Sequence, residues 1–410
     1  MRILGIDPGL GATGLGVIEG DRDTVRHVYH TAVRPSSSLP LPERLEVIRS
    51  AVRDAARDWH ADAAAVESGY VGPNPRSALA LGQARAAALM GRLVVSLREA
   101  KQLDAVPPSA RRHLDAALQV ASRLRQALEW EFQCLARALT HLDVPVMLLK
   151  GAAYAAAGLP VAEGRLFGDI DLLVPRTRLA EVEGALLVHG WAPMKLDPYD
   201  QRYYRQWMHE IPPLEHVRRQ TVLDVHHTLL PLTARYRPDP TLVFAAARES
   251  GVPGFKVPAP VDLVIHCATH LFHEGETDRA LRDLIDLDGL LSHFAAGEPS
   301  FWTALVPRAR ALDLARPLYY GLRYTQRLLG TPVPAEVLEA AAQAAPALPV
   351  RLAMDWLAQE GFRPKHSSCR GPLTSLAHFA LYLRGHWLRM PLRLLLPHLL
   401  RKALVRRQPG

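Results

Sequence analysis

The sequence predicts an α/β protein of several domains. Short apolar runs separated by turn residues alternate with helical patterns in the first part of the chain, an Asp-x-Asp strand lies near its middle, and the last hundred residues show helical spacing. With 410 residues, 49% of them hydrophobic, the chain is long enough for two or three domains with buried cores. The predicted boundaries are a first segment at residues 1–92, a junction at 93–108, a second domain at 109–300 and an α-helical region at 301–410.

The cysteines indicate a reducing compartment. Cys134, Cys267 and Cys369 are far apart and odd in number, so they provide neither a disulfide framework nor a Cys-x-x-Cys zinc motif. The sequence contains no run of 18 apolar residues, so it predicts no transmembrane helix. We therefore expect a cytoplasmic location.

The net charge of +8 is concentrated near the C-terminus. Residues 361–410 contain ten Lys or Arg and no Asp or Glu, whereas the rest of the chain contains 39 basic and 41 acidic residues. A basic, leucine-rich segment is typical of proteins that bind an anionic membrane surface or RNA, so we expect this tail to support a peripheral association. The alternative is that its leucines pack on the second domain while its arginines stay solvated.

The first segment contains several motifs in a fixed order. They are Gly5-Ile6-Asp7-Pro8-Gly9, Val66-Glu67, and the run from Asn74 to Arg85. In order and spacing these motifs resemble the RuvC Holliday-junction resolvases. The resemblance implies an RNase H-like fold and two-metal phosphodiester hydrolysis. It also implies that Asp7 and Glu67 are two catalytic carboxylates and that Tyr70 is an aromatic residue near the centre of the bound DNA junction.

The first segment also departs from that family. Nothing after Arg92 resembles the last strand and helix, which carry the remaining metal-binding carboxylate. Residues 1–106 hold 13 basic and 12 acidic residues, too balanced a charge for a tight grip on phosphates. We therefore expect a truncated RNase H-like segment with vestigial nuclease residues and weak or no DNA binding. The alternative is an active crossover junction endodeoxyribonuclease, acting in DNA recombination and repair, with an appended domain.

The middle of the chain carries a pair of carboxylates on one strand. Gly168-Asp169-Ile170-Asp171 continues as an apolar run, and alternate strand residues share a face, so Asp169 and Asp171 project the same way. Two adjacent carboxylates repel each other and favour a cation between them. Magnesium prefers oxygen ligands of this kind together with phosphate oxygens, which suits nucleotide chemistry.

The order of helix, strand, Lys150-Gly151 turn, short helix and Asp-x-Asp strand resembles the polymerase-β-like nucleotidyltransferases. The closer resemblance is to a large bacterial family with a Leu-Lys-Gly turn, a Gly-Asp-Ile-Asp-Leu-Leu-Val strand and an Asp-x-His strand, here Asp224-Val225-His226. The implied fold for this region is α+β, and the implied reaction is transfer of a nucleotidyl group from a nucleoside triphosphate. The stretch from Gly151 to Asp169 is longer than in the commonest polymerase-β-like pattern.

This resemblance implies specific roles for seven residues. Asp169, Asp171 and Asp224 are the expected catalytic residues and ligands of Mg²⁺ or Mn²⁺, with Asp224 also helping to deprotonate an attacking hydroxyl. The expected nucleotide-binding residues are Lys150, Gly151, Arg165 and Gly168. A non-catalytic nucleotide-binding module is the alternative. The acceptor, the preferred nucleotide and the oligomeric state are not determined by the sequence.

Three histidines lie at helical spacing further along. His266, His270 and His273 are at i, i+4 and i+7, which places them on one face of a helix. They form either a metal site or, as the simpler interpretation, a packed or substrate-facing surface. We expect Asp283 or Asp286 on the next helical stretch to orient them.

Overall fold

The computed structural model describes most of the chain and divides it into two compact units, Met1–Ala86 and Ala87–Gly410. The described residues are 1–7, 12–20, 25–36, 39, 41–66, 89–273, 275, 279–363, 369, 371–395 and 397.

The first unit is a four-stranded sheet with a crossover helix. Its described elements are β1 (Arg2–Asp7), β2 (Thr13–Gly20), β3 (Val25–Val33), α1 (Leu41–Asp58) and β4 (Ala63–Val66). The strand order is β3-β2-β1-β4, with β1 antiparallel to β2 and parallel to β4. These strands and this helix confirm the pattern predicted from the sequence.

The first unit has a small core. Leu4, Leu15 and Val17 alternate on one face of the sheet, and Ala55 of α1 packs against them. The motif run from Asn74 to Arg85 lies outside the described residues. Within the part of this unit that the structure describes, the sheet has four strands and one covering helix.

The second unit combines a sheet with a helical bundle. Its first elements are helix α2 (residues 89–99), α3 (Pro108–Leu139), β5 (Met147–Leu148), α4 (Lys150–Ala156), β6 (Ile170–Leu173), α5 (Leu179–Val188), β7 (Trp191–Pro193), α6 (Pro198–Trp207), β8 (Leu214–His216) and β9 (Val222–His226). Then follow α7 (Pro240–Ala245), β10 (Arg248–Glu249), β11 (Lys256–Val257), α8 (Pro260–His273), α9 (Ala280–Gly297), α10 (Phe301–Ala311), α11 (Ala315–Leu329), α12 (Ala335–Ala342), α13 (Leu348–Gly361) and α14 (Thr374–Arg389).

The sheet of the second unit has seven strands in the order β10-β11-β5-β6-β9-β8-β7. Its central pair, β6 and β9, is parallel, whereas β5 runs antiparallel to β6. Both central strands carry apolar residues that are fully buried, such as Leu172 and Val225. On α3, Glu131 accepts hydrogen bonds from Arg219 and Thr221, which anchors the hairpin leading into β9.

Helix α2 packs within the second unit. Gly91 lies so close to Gly164 that a Cβ on either glycine would overlap the other's backbone. Arg92 donates to the carbonyl oxygens of Pro160 and Glu163 at 2.9 and 3.1 Å. The division between the two compact units therefore lies upstream of the predicted junction at 93–108.

The described part of the C-terminal region is helical, as predicted, and Gly330 ends α11 in the left-handed conformation. On α14, Ala377 and Leu381 are buried in the core of the second unit, so part of the leucine-rich segment packs there. Another face of α14 exposes Leu376, Phe379, Tyr382, Leu383 and Trp387. Membrane or RNA binding by the tail stays a prediction. Among the described residues, the structure contains no helix long and apolar enough to cross a membrane.

Candidate active site

The register of two parallel strands places two of the three predicted carboxylates side by side. Asp171 of β6 is paired directly with Asp224 of β9, and Leu173 with His226. Paired residues of adjacent strands share a face, as do residues two apart on one strand. Asp171, Asp224 and His226 therefore lie on the same face of the sheet, and Asp169 precedes β6 by one residue.

Asp171 is the buried centre of this group. It is 2% exposed and accepts hydrogen bonds from Lys150 Nζ at 2.7 Å and from His226 Nε2 at 3.0 Å, both at Oδ1. Burial alone would raise the pKa of Asp171, but the Lys150 ammonium and the His226 hydrogen bond hold it well below the usual range. The carboxylate is therefore ionised and strongly held.

Lys150 reaches Asp171 from an unusual backbone conformation. It is the first residue of α4, one residue after the end of β5, and has a φ of +47°, a value that residues other than glycine rarely adopt. Such conformations persist only where the surroundings hold them, and they concentrate at functional sites. The ion pair with Asp171 is one contact that holds this turn.

The other two predicted carboxylates are more accessible than Asp171. Asp169 has a 36% exposed side chain, and its Oδ2 lies 3.7 Å from an Arg279 guanidinium nitrogen. Asp224 is half-buried on β9. Within the described residues, the three predicted aspartates do not form a group whose ligand atoms all lie within 4.8 Å of one another.

The predicted glycine and arginine of the nucleotide site contact each other. A Cβ on Gly151 would overlap the guanidinium of Arg165, so the glycine is needed for that close approach. Arg165 is itself 8% exposed and donates from Nε to Asp286 Oδ2 at 2.9 Å. Its guanidinium also lies over the rings of Tyr154 and Phe167, at 5.8 and 5.5 Å.

These contacts give Gly151 and Arg165 a structural role. Arg165 ties the loop before β6 to α9 through a buried ion pair. Burial would lower the pKa of Arg165, but the Asp286 carboxylate raises it, so the guanidinium stays charged. Phosphate binding by Gly151 and Arg165 remains a prediction, and the observed contacts do not require it. Gly168 is exposed, with open space where a side chain would be.

The three histidines of α8 lie in separate environments and do not share one set of contacts. His266 is buried, and burial together with the nearby Lys150 ammonium lowers its pKa to about 3, so its ring is neutral. His270 Nδ1 lies 3.4 Å from Asp283 Oδ2, whereas His273 is buried beside Tyr236. Asp283 thus contacts one of the three histidines, and Asp286 pairs with Arg165 instead.

A different group of ligand-type side chains was missed by the sequence reasoning. His209, Glu210 and His226 each offer a ligand atom, and these atoms all lie within 4.8 Å of one another. His209 and Glu210 follow α6, where no motif marks them. The one available signal was the Asp-x-His spacing on β9, which puts His226 on the same face as Asp224.

The aspartates fit a magnesium-class ion by donor type. Carboxylate oxygens are the ligands such ions prefer, and a cationic side chain already lies beside two of the three predicted ligands. Lys150 shows that a positive charge is accommodated next to Asp171. The residues present are therefore compatible with a divalent cation.

In the first unit, Asp7 ends β1 opposite Gly14 and is exposed. It borders a cavity of about 620 Å³ that also touches Ile6, Leu15 and His30. Glu67 and Tyr70 lie outside the described residues. The structure thus places one of the three predicted nuclease residues, and that one is accessible.

A family model described as "Uncharacterised nucleotidyltransferase" matches residues 76–330, more than half of the chain. The chain belongs to this family. The match begins upstream of α2 and includes β6, β9 and α8, so the candidate active site lies within it. The resemblance read from the Leu-Lys-Gly turn and the Gly-Asp-Ile-Asp-Leu-Leu-Val strand is confirmed.

A second family model, "Crossover junction endodeoxyribonuclease RuvC", matches residues 3–103. The RuvC of Bordetella petrii is 37% identical over a 182-residue alignment, and the match covers 41% of this chain and all of that protein. The RuvC proteins of Cupriavidus metallidurans and Hyphomonas neptunium are 45% and 51% identical, over 22% of this chain in each case. The chain spans 50% and 53% of the length of these two relatives.

A solved RuvC structure from Thermus thermophilus is also similar to this chain. It is 31% identical over 20% of this chain and 54% of that chain, with a TM-score of 0.18. The predicted combination of an N-terminal RuvC-like, RNase H-like segment with a nucleotidyltransferase domain is confirmed by the two family models.

Proposed function

We propose that this protein transfers a nucleotidyl group from a nucleoside triphosphate to an acceptor, with Mg²⁺ or Mn²⁺. The observation that carries the proposal is the register of β6 and β9, which sets Asp171 beside Asp224 with Asp169 at the more accessible end. Membership of the nucleotidyltransferase family supports the reaction class.

In this proposal the aspartates have separate roles. Asp169, Asp171 and Asp224 would hold a divalent cation, which when bound would neutralise the charge of the triphosphate. Asp224 takes the proton from the acceptor hydroxyl as that oxygen attacks the α-phosphorus. A bond forms from the acceptor oxygen to phosphorus, the bond to the bridging oxygen breaks, and pyrophosphate leaves.

Lys150 has a particular part in the proposed cycle. In the structure its ammonium neutralises Asp171 at 2.7 Å. When nucleotide binds, Lys150 would shift its ammonium from Asp171 to a phosphate oxygen, and the Asp171 carboxylate would be one of the groups that hold the cation. The open space beside Gly168 leaves room for the nucleotide to approach the end of β6.

A labelling experiment tests this function. The full chain is incubated with magnesium, a cell extract as acceptor source, and each nucleoside triphosphate labelled at either the α- or the γ-phosphorus. We expect label to reach an acceptor from the α position only, with release of pyrophosphate, and to be absent when a chelator is added. Transfer of the γ label would indicate phosphoryl transfer instead. Tight nucleotide binding without any transfer would favour a non-catalytic binding module.

We expect no cleavage of four-way DNA junctions by the RuvC-like segment. Two-metal hydrolysis needs several carboxylates to hold both ions, and the RuvC-like motifs of this sequence assign only two, Asp7 and Glu67. The measurement is cleavage of a synthetic junction by the full chain with magnesium or manganese. Robust cleavage that disappears in Asp7→Asn would contradict this expectation and support the nuclease alternative.

A further inference from the structure

We infer that His209, Glu210 and His226 form a binding site for a transition-metal dication of the zinc class, distinct from the proposed magnesium site. The inference goes beyond the proposed nucleotidyl transfer and does not depend on it.

The spacing of the ligand atoms suits one metal ion. Glu210 Oε2 lies 3.5 Å from His226 Nδ1 and 4.0 Å from His209 Nε2, and the two imidazole centroids are 4.9 Å apart. Ligand atoms that are each about 2.0–2.2 Å from a tetrahedral zinc ion lie roughly 3.4 Å from one another. Small side-chain shifts would therefore close these three atoms onto a single ion.

The backbone holds the three ligands in place before any ion binds. Glu210 and His226 face each other in an antiparallel β-bridge. Two backbone hydrogen bonds form that bridge, from His227 to the carbonyl of His209 at 2.8 Å and from Ile211 to that of Val225 at 3.0 Å. The chain after α6 is thus fixed against β9, which reduces the cost of ordering the ligands.

Asp171 orients the most buried ligand. The ionised Asp171 carboxylate only accepts hydrogen bonds, so the hydrogen in its 3.0 Å contact is on His226 Nε2. In a neutral imidazole this leaves the lone pair on Nδ1, the nitrogen that faces Glu210. A carboxylate that fixes a histidine in this way is the common outer contact of metal-binding histidines.

Donor type and access select the kind of metal. Two imidazole nitrogens and one carboxylate oxygen suit zinc and related ions, whereas magnesium prefers oxygen ligands alone. The His226 side chain is 2% exposed, but those of His209 and Glu210 are 12% and 15% exposed. This side of the cluster leaves access for a water or other small molecule as fourth ligand. The competing interpretation is an imidazolium between two carboxylates, which binds no metal.

The test is zinc binding by the full chain after removal of bound metal with a chelator. Zinc alone is titrated against a chromophoric competitor, and Co²⁺ absorption reports the coordination. We expect one zinc per chain, with affinity at least about tenfold lower in His209→Ala and in Glu210→Gln. Asp171→Asn should weaken binding by about 10- to 100-fold, the usual effect of losing an outer contact.

Two controls separate this site from other sources of binding. His189→Ala removes an exposed histidine and should leave zinc affinity unchanged. Asp169→Asn should also leave it unchanged, although the same change should impair nucleotidyl transfer. Less than a stoichiometric amount of bound zinc, or affinity that His209→Ala and Glu210→Gln leave unaltered, would overturn the inference. His209 and Glu210 are partly exposed, so both variants are expected to fold.

Discussion

Replacing Asp171 by Asn is expected to lower nucleotidyl transfer by on the order of 10²-fold or more, as removal of one preorganised electrostatic contact does in other transfer reactions. Asparagine keeps the size of the side chain but removes the charge that would hold a cation at the end of β6. Single changes at Asp169 and Asp224 should cause losses of similar size. The effects should not add, because the three residues are proposed to act through a shared cation. The measurement is the rate of label transfer for each single and double variant.

Stability must be measured beside activity, because Asp171 also contributes to the fold. A repulsion argument from the sequence alone predicts that removing one carboxylate relieves strain. For Asp171 the structure predicts a loss of stability instead, because Lys150 and His226 both donate hydrogen bonds to its carboxylate. We expect Asp171→Asn to cost about 1.5–3 kcal/mol, the usual contribution of hydrogen bonds to a charged group.

The pH dependence of that contribution follows from the lowered pKa of Asp171. A carboxyl group whose folded pKa lies below its unfolded value stabilises the fold above the unfolded pKa. The stabilisation is lost as pH falls through the folded pKa. Wild type and Asp171→Asn should therefore differ in melting temperature at neutral pH and converge in strong acid.

Lys150→Ala is the matched control for the Asp171 variants. It breaks the same ion pair and should cause a comparable loss of stability, but it leaves the carboxylate in place. We expect it to raise the nucleotide concentration required without abolishing transfer. Equal activity in wild type and in Asp171→Asn would contradict the proposed role of Asp171. If Lys150→Ala were as inactive as Asp171→Asn, the ion pair rather than the carboxylate would be what transfer requires.

Breaking the buried pair of Arg165 and Asp286 is expected to have the largest effect on stability. Replacing Arg165 by Met leaves the Asp286 carboxylate buried without its guanidinium partner, which typically costs about 3–5 kcal/mol. The measurement is the free energy of unfolding in denaturant. The matched control is Glu129→Gln, which breaks an arginine–carboxylate contact of 2.7 Å at the surface of α3. That change should cost at most about 1 kcal/mol. Similar losses of unfolding free energy in both variants would show that the buried pair contributes no more to stability than the surface pair.

The contact between Gly151 and Arg165 gives a coupled test. Gly→Ala inside a helix usually stabilises it by up to about 1 kcal/mol. Here Gly151→Ala should destabilise the protein, because the added methyl overlaps the guanidinium. In the Arg165→Met background the same change should be much less harmful. A purely additive double-mutant cycle would contradict the packing role assigned to Gly151.

Several features of the candidate site follow from the sequence because they depend on local geometry. The period-2 alternation of a strand predicts that Asp169 and Asp171 share one side, and Lys150 and Gly151 mark the start of α4. The long helix α3 and the break at Gly330 also follow from helical spacing and from the left-handed preference of glycine. The RuvC-like strands were recognisable because their motifs keep a fixed order along the chain.

The partners of those residues were decided by tertiary structure. Arg165 and Asp286 are 121 positions apart, and nothing local indicates that the guanidinium is buried against α9 rather than directed at phosphate. The grouping of His226 with His209 and Glu210 depends on a β-bridge between two distant segments. The helical spacing of the α8 histidines predicted a different cluster, on one face of that helix. The sequence by itself determined which residues carry charge at strand ends and turns. Only the packing of distant elements decided which charges are neutralised, because burial and pairing arise from contacts that no local periodicity encodes.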